Sequence, residues 1–374
     1  MTLIKVKSRG TDNVTGRRNL VINGAMQVAQ RGTSSTGTGY QTVDRMSVGF
    51  AGHDEAPTMT QADVASGTSP YTSGFKKSMK IQNGNQTSGA GAADELALTY
   101  HFEGQDIAES GWNVASASSN VTLSFWVKSS VTQQFQTNVR LYGPANGNQR
   151  EFAFAYTLSA NTWTKVTKTI PGHASNTVRG DNALGMFLQF PMFWGTNYTA
   201  NARNHDTWEA KNNAQNMKDY VSTWWTTNDA TWEITGIQLE VGDSASDFEH
   251  RSFAEELALC QRYFFQESTN ADDVGGIFGI ANGTVRIQIS HGMPVQMRAK
   301  PSLTLTSASI RVGDTVAQGV NTTSGTISAS GYTGTQRIGY SLGGFTGLNN
   351  YRTYLTEPRT SDSMIGIPRF NAEL

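Results

Sequence analysis

Residues 231–265, TWEITGIQLEVGDSASDFEHRSFAEELALCQRYFF, constrain the fold more than any other stretch of the chain. Trp232 and Ile234 share one parity, while Ile237, Leu239 and Val241 share the other. An apolar pattern that changes parity across Gly236 predicts a β-bulge, because one extra residue exchanges the two faces of a strand. An acidic loop follows. Ser252-Phe253-Ala254-Glu255 then has the S-x-x-E form of a capping box, with Ser252 as N-cap and Glu255 reaching back. Phe253, Leu257, Cys260 and Phe264 fall on one stripe of the helix so opened. The stretch reads as the closing strand of one β-domain, followed by a helix that leads into a second.

Upstream, Val121, Leu123, Phe125 and Val127 alternate with Thr122, Ser124, Trp126 and Lys128. Strict alternation is the mark of a strand with one buried face. Short β-branched or aromatic runs at 96–102, 135–142, 152–156, 163–170 and 186–190 repeat it, each bounded by Gly, Asn or Ser. Such spacing predicts an antiparallel sandwich or jelly roll. Asn23-Gly24, between Leu20/Ile22 and Met26/Val28, predicts an early hairpin, and Asn282-Gly283 predicts another near the C-terminus. The fold class expected is all-β: an antiparallel jelly-roll sandwich, one linking helix and a smaller C-terminal β-domain. The expected ranges are an arm at 1–17, the jelly roll at 18–251, the helix at 252–266 and the last domain at 267–374. Composition agrees, with charged residues at 16% and Gly at 38 of 374 positions, a polar-surfaced and turn-rich pattern.

A net charge of −1 gives no sign of nucleic-acid binding, and no apolar run approaches membrane-spanning length. The opening MTLIKVKSRG lacks an apolar signal core, so the chain is expected to be made and assembled in a cytoplasm. Lys5, Lys7, Arg9, Arg17 and Arg18 form a short basic arm, read either as a solvated tail or as a docking element. Cys260, the single cysteine, excludes an internal disulfide and reads as a small buried hydrophobe.

HExxH, C-x-x-C and GxSxG are all missing. His53, His101, His173, His205, His250 and His291 are scattered, and His250 reads as a local hydrogen-bonding residue. Asp243, Asp247 and Glu249 suit either a calcium site or capping of the following helix. A glycosidase would need paired carboxylates across a cleft, and Glu95, Glu103 and Asp181 cannot be paired from sequence. The expectation is therefore a protein that is not an enzyme, with no cofactor and no metal. The aromatics are more suggestive. Trp126 stands on the polar face of its strand. Trp194, Tyr198, Trp208, Trp224 and Trp225 sit in a long Asn-rich insertion at 191–230. Exposed rings stack on sugars, with amide and acid side chains for the hydroxyls. The same rings equally suit packing of the insertion onto the sandwich or onto a neighbouring subunit.

Several segments carry a family resemblance. RRNLVINGAMQVAQRGTS resembles the opening of a family of tailed-phage virion proteins. VTLSFWVKSS, ANTWTKVTKTIPG and DNALGMFLQF resemble the carbohydrate-binding-module-like jelly roll of those proteins, and ITGIQLEVGDSASDFEHRSFAEELALCQRYF the segment that closes it. MPVQMRAKPSLTLTS and the terminal AEL resemble their C-terminal β-domains. The resemblance implies a non-catalytic virion protein of tail-fibre type that attaches to host-surface glycan. It implies a homotrimer located in the virion, with other virion proteins and host polysaccharide as partners. A purely structural head fibre, decoration or adaptor protein is the alternative, and a glycan depolymerase a further one. The long N-terminal anchor and repetitive shaft of many tail fibres are not seen in this sequence, so the basic arm is read either as a minimal docking element or as pointing to a head fibre or decoration protein.

Overall fold

The computed structural model describes residues 18–200, 202–266, 277–314, 319–356 and 366–374. Lys5, Lys7, Arg9 and Arg17 of the basic arm lie outside the described residues. The chain divides into two compact units: one ends at Ser252 and takes in Leu374, and the other runs Phe253–Glu373.

The first unit is an antiparallel sandwich of jelly-roll type. Its strands are β1 (Ser34–Ser35), β2 (Met46–Ala51), β3 (Thr58–Asp63), β4 (Lys77–Gln82), β5 (Glu95–Glu103) and β6 (Asn120–Ser129). They continue as β7 (Gln133–Leu141), β8 (Arg150–Leu158), β9 (Thr164–Pro171), β10 (Leu184–Trp194), β11 (Trp208–Ala210) and β12 (Thr231–Val241). One six-stranded sheet has the order β1-β3-β4-β12-β6-β9; the other runs β11-β8-β7-β10-β5-β2. Alternation decides what lies between them. Val121, Leu123, Phe125 and Val127 of β6 are fully buried, as are Val139 and Leu141 of β7 and Leu188 and Phe190 of β10. The Phe125 and Phe190 rings meet edge-to-face, 5.2 Å between centroids. Such a contact adds about 1 kcal/mol to plain area burial.

The parity change in β12 is a bulge. Trp126 pairs with Thr235, but Ser124 pairs with Gln238, so β12 carries one extra residue there. Gly236 takes the left-handed conformation (φ +65°) that the bulge requires. Beyond the bulge the edge of β12 away from β6 is filled by the segment at 19–24. The Leu20 amide donates to the Leu239 carbonyl (2.9 Å), and the Ile237 amide to the Gly24 carbonyl (3.0 Å). The Asn19 side chain accepts from the Leu239 amide (3.1 Å) and donates to the Ile237 carbonyl (3.0 Å).

This corrects the early hairpin. No strand forms between 19 and 30. Asn23-Gly24 does turn the chain, with Asn23 at φ +59°. The Asn23 amide then bonds the Val28 amide and carbonyl and the Asp44 carbonyl. The Asn23 side chain thus braces the turn, while the segment before it pairs with β12.

The second unit opens with a helix, Phe253–Gln261. Its buried positions are Glu256 and Cys260, while Phe253 is exposed and Phe264 lies beyond the helix. The expected stripe is thus rotated: Cys260 faces in as read, and Phe253 does not. The strands are β13 (Phe264–Gln266), β14 (Phe278–Ala281), β15 (Arg286–Gly292), β16 (Ser302–Leu305), β17 (Ile310–Gly313), β18 (Val320–Thr322), β19 (Thr326–Ala329), β20 (Arg337–Gly343), β21 (Thr353–Thr356) and β22 (Pro368–Asn371). They form a three-stranded sheet, β13-β22-β16, and a seven-stranded one, β18-β17-β21-β14-β15-β20-β19. β14 and β15 are the hairpin expected around Asn282-Gly283, with Gly283 at φ +87°. Ile287, Val312, Ile338, Tyr340, Leu342 and Phe370 centre the core. Among the described residues no helix is long and apolar enough to cross a membrane.

A side chain at Gly24 would land on the Ile237 carbonyl oxygen, whereas Gly49 in β2 has open space. Gly24→Ala should therefore lower unfolding free energy in urea by about 2 kcal/mol. Gly49→Ala should leave it unchanged or raise it by about 0.5 kcal/mol. Equal effects of the two substitutions would contradict the close approach of the N-terminal segment to β12.

Candidate functional site

The insertion supplies less free aromatic surface than its composition suggests. β10 continues through Trp194, so 191–194 is strand. Trp194 packs with Ala97 and Met217, and Tyr198 and Tyr220 lean on that cluster. Trp208, in β11, donates from Nε1 to the Pro171 carbonyl (2.7 Å) and lies against Phe152. Trp224 is engaged within the chain: its backbone amide donates to Gln133 Oε1 (2.9 Å) and its Nε1 to the Thr231 carbonyl (3.1 Å). Trp225 stacks on Phe193 at 4.9 Å and donates to the Gly89 carbonyl. Exposure is 7% for Trp194, 5% for Trp208, 0% for Trp224 and 1% for Trp225. The display of these rings as stacking platforms is thus corrected. Their apolar area is worth more inside the chain, where the indole N–H groups of Trp208, Trp224 and Trp225 also find carbonyl acceptors.

The insertion itself lies over the outer face of the β11-β8-β7-β10-β5-β2 sheet. Gln136 and Asn138 of β7 donate to the Asn216 carbonyl (3.0 and 3.1 Å). His205 Nε2 lies 2.9 Å from Gln136 Oε1 and 3.1 Å from the Tyr220 hydroxyl. Buried Glu151 is held between Arg140 (2.7 Å) and Arg203 (3.2 Å). Burial pushes the Tyr220 hydroxyl up to about 12, and burial next to Arg140 draws the Lys211 ammonium down to about 8. This face is occupied by the chain's own polar groups.

The other sheet keeps an open feature, built by the bulge. Without a Cβ at Gly236, the Phe75 ring sits over the backbone there; a methyl group would come within 2.6 Å of Phe75 Cζ. Phe248 meets Phe75 edge-to-face at 4.8 Å. The His250 ring lies 5.2 Å from Phe75 and 4.9 Å from Phe248. His250 Nε2 reaches the Ser73 carbonyl at 3.0 Å, and Gly74 leaves room for the imidazole. Beside this wall stands Trp126, half-buried on the outer face of β6 and directly opposite Lys165 of β9. Together with Ser73, Ser124, Ser246 and Asp247 these residues line a pocket of about 290 Å³. That is at the lower end of small-ligand sites, which run from about 300 to 1,000 Å³.

The loop that carries Ser246, Asp247 and Phe248 is pinned from beneath. Buried Glu240 accepts from the Ser246 amide (2.7 Å) and hydroxyl (2.5 Å) and from Gln238 Nε2 (2.9 Å). Gln238 Oε1 accepts from the Glu249 amide (2.8 Å). Glu249 in turn accepts from the backbone amides of Arg18 (3.1 Å) and Asn19 (2.9 Å) and pairs with Arg251 (2.8 Å). The acidic loop therefore anchors the N-terminal segment. Arg18, the described member of the basic arm, is engaged here: it donates to the Asp247 carbonyl (2.6 Å) and lies 3.7 Å from Glu240. No group of three or more His, Cys, Asp or Glu among the described residues could hold a metal ion.

The remaining carboxylates are dispersed. Arg179 hydrogen bonds hold Asp181 below the usual carboxylate range, Glu103 accepts from Gln105, and burial raises Glu95. Burial, with Arg45 adding to it, brings His101 down to about 3, and its Nδ1 lies 2.7 Å from the Tyr40 hydroxyl. Of the residues singled out from sequence, the pocket contains Trp126 together with Asp247 and His250. Phe75 and Phe248 were missed. The Phe-x-His pair just downstream of the Gly236 parity change was the available signal.

No family model matches the chain, and no curated protein matches it. Solved structures similar to it include the enzymatically active domain of bacteriophage CBA120 tailspike protein 4, at 10% identity and TM-score 0.32, over 60% of this chain and 22% of that one. The chain thus spans under a quarter of the tailspike's length. A putative sugar binding protein from Bacteroides thetaiotaomicron is 13% identical at TM-score 0.29, over 60% of this chain and 100% of that one. A family 11 carbohydrate-binding module from Clostridium thermocellum, in complex with a mixed-linked tetrasaccharide, is 11% identical at TM-score 0.27, over 58% and 98%. Scores this far under 0.5 leave the site to be read from its own geometry.

Burial alone would raise Glu249, but the amides of Asn19 and Arg18 and the Arg251 guanidinium outweigh it, and the carboxyl sits below its ordinary 4.5. A depressed folded-state pKa contributes stability that is present above the unfolded value and lost as pH falls through the folded one. Thermal melts should show wild type losing more stability than Glu249→Gln between pH 6 and pH 3, so that the two curves converge in acid. Parallel curves would contradict the anchoring role.

Proposed function

We propose that this chain is a non-catalytic attachment protein of tailed-phage fibre type, which holds a saccharide of the host surface in the pocket beside Trp126. One observation carries the reading: the pocket is lined by the half-buried Trp126 indole, the Phe75 and Phe248 rings, and the polar or charged residues Ser73, Ser124, Ser246, Asp247, Lys165 and His250. Sugar rings present C–H faces and hydroxyl edges together, and this lining answers both. Asp247 is the single carboxylate among the described lining residues. A pocket so lined suits holding a sugar better than hydrolysing one, which in most glycosidases takes two carboxylates flanking the bond. The virion setting, the trimer and the other virion proteins as partners rest on the sequence resemblance.

The burial of Trp194, Trp208, Trp224 and Trp225 favours a second reading, a purely structural virion component. In that reading the aromatics serve the sandwich and no ligand is held.

A glycan array probed with wild type and Trp126→Ala separates the two. Attachment predicts array hits whose affinity falls by about 2 kcal/mol, roughly thirtyfold, in the variant, with thermal stability nearly unchanged. Hits indifferent to Trp126→Ala would remove the site, and a blank array would leave the structural reading.

A further inference from the structure

Two residues of opposite charge line the Trp126 pocket, and neither side chain has a partner among the described residues. Lys165 comes from β9, directly across from Trp126, and Asp247 from the loop after β12. Several neighbouring charges among the described residues are paired. Lys128 pairs with Glu233 (2.9 Å), Lys168 with Asp206 (2.6 Å) and Arg251 with Glu249 (2.8 Å). Arg18 lies 3.7 Å from Glu240 and meets Asp247 only at its backbone carbonyl. Among the described residues, Lys165 and the Asp247 carboxylate pair neither with each other nor with a third group.

This arrangement selects on charge. A purely anionic ligand meets Lys165 favourably but brings like charge to Asp247. A purely cationic one reverses the problem. A neutral sugar gives neither charge an ionic partner. Only a ligand carrying both signs satisfies the two together. Resting on the saccharide reading of this pocket, we propose that its ligand is a zwitterionic sugar unit. The sugar ring packs on Trp126, an anionic substituent faces Lys165, and a free ammonium faces Asp247.

A matched set of oligosaccharides tests this by calorimetry on the full chain. Chitin oligomers are neutral, chitosan oligomers cationic, heparosan oligomers anionic, and de-N-acetylated heparosan oligomers zwitterionic. The zwitterion should bind about tenfold tighter than either singly charged relative. Lys165→Ala should bring its affinity down to that of chitosan, and Asp247→Asn down to that of heparosan. Both side chains are exposed, so neither substitution threatens the fold. Trp126-dependent binding of all four at similar strength would overturn the charge assignment and leave the saccharide site standing. Tightest binding of a singly charged oligomer would overturn it too. No binding of any of the four also overturns it, and together with a blank glycan array takes the saccharide site as well.

Discussion

A single added residue in β12 underlies both the frame of the N-terminal unit and its pocket. At Gly236 the strand leaves the plain two-residue repeat, and its apolar side chains change parity while still facing the core. This lets Trp232 and Ile234 before the bulge, and Ile237 and Leu239 after it, all be buried in one sandwich. The bulge also frees the far edge of β12, and buried backbone groups must find partners. The segment at 19–24 supplies them, half through its backbone and half through the Asn19 amide.

The absent side chain at Gly236 has a second consequence on the outer face. It admits Phe75, and Phe75 in turn seats Phe248 and His250. The loop bearing these rings is tied down through Glu240, Gln238 and Glu249 to the same N-terminal segment that pairs with β12. Strand edge, segment and pocket wall are therefore one hydrogen-bonded assembly. The pocket is preorganised because its supports are the supports of the fold, which reduces the ordering cost of binding.

Much of this was legible in the residues. Alternation at 121–128 gave β6 its buried and open faces, and hence the outward placement of Trp126. The parity change gave the bulge. Residue type alone does not set exposure. Four tryptophans in a polar insertion look like a displayed surface, yet each found a cavity and most found a carbonyl for the indole N–H. Asn23-Gly24 looked like a hairpin because the local turn chemistry is right; the tertiary pairing that replaced the second strand lies more than 200 residues away in β12. The ring wall escaped notice for the same reason, since Phe75 and Phe248 come together only after the sheet has formed.

The central claim is that the bulge creates the ligand-binding surface, not the aromatic insertion. Fluorine NMR of the chain labelled with 5-fluorotryptophan, titrated with a saccharide that binds, tests it most directly. The Trp126 resonance, assigned by its loss in Trp126→Phe, should move with saturation while those of Trp194, Trp208, Trp224 and Trp225 stay in place. A Trp126 resonance that does not move, with shifts in the insertion instead, would contradict the claim.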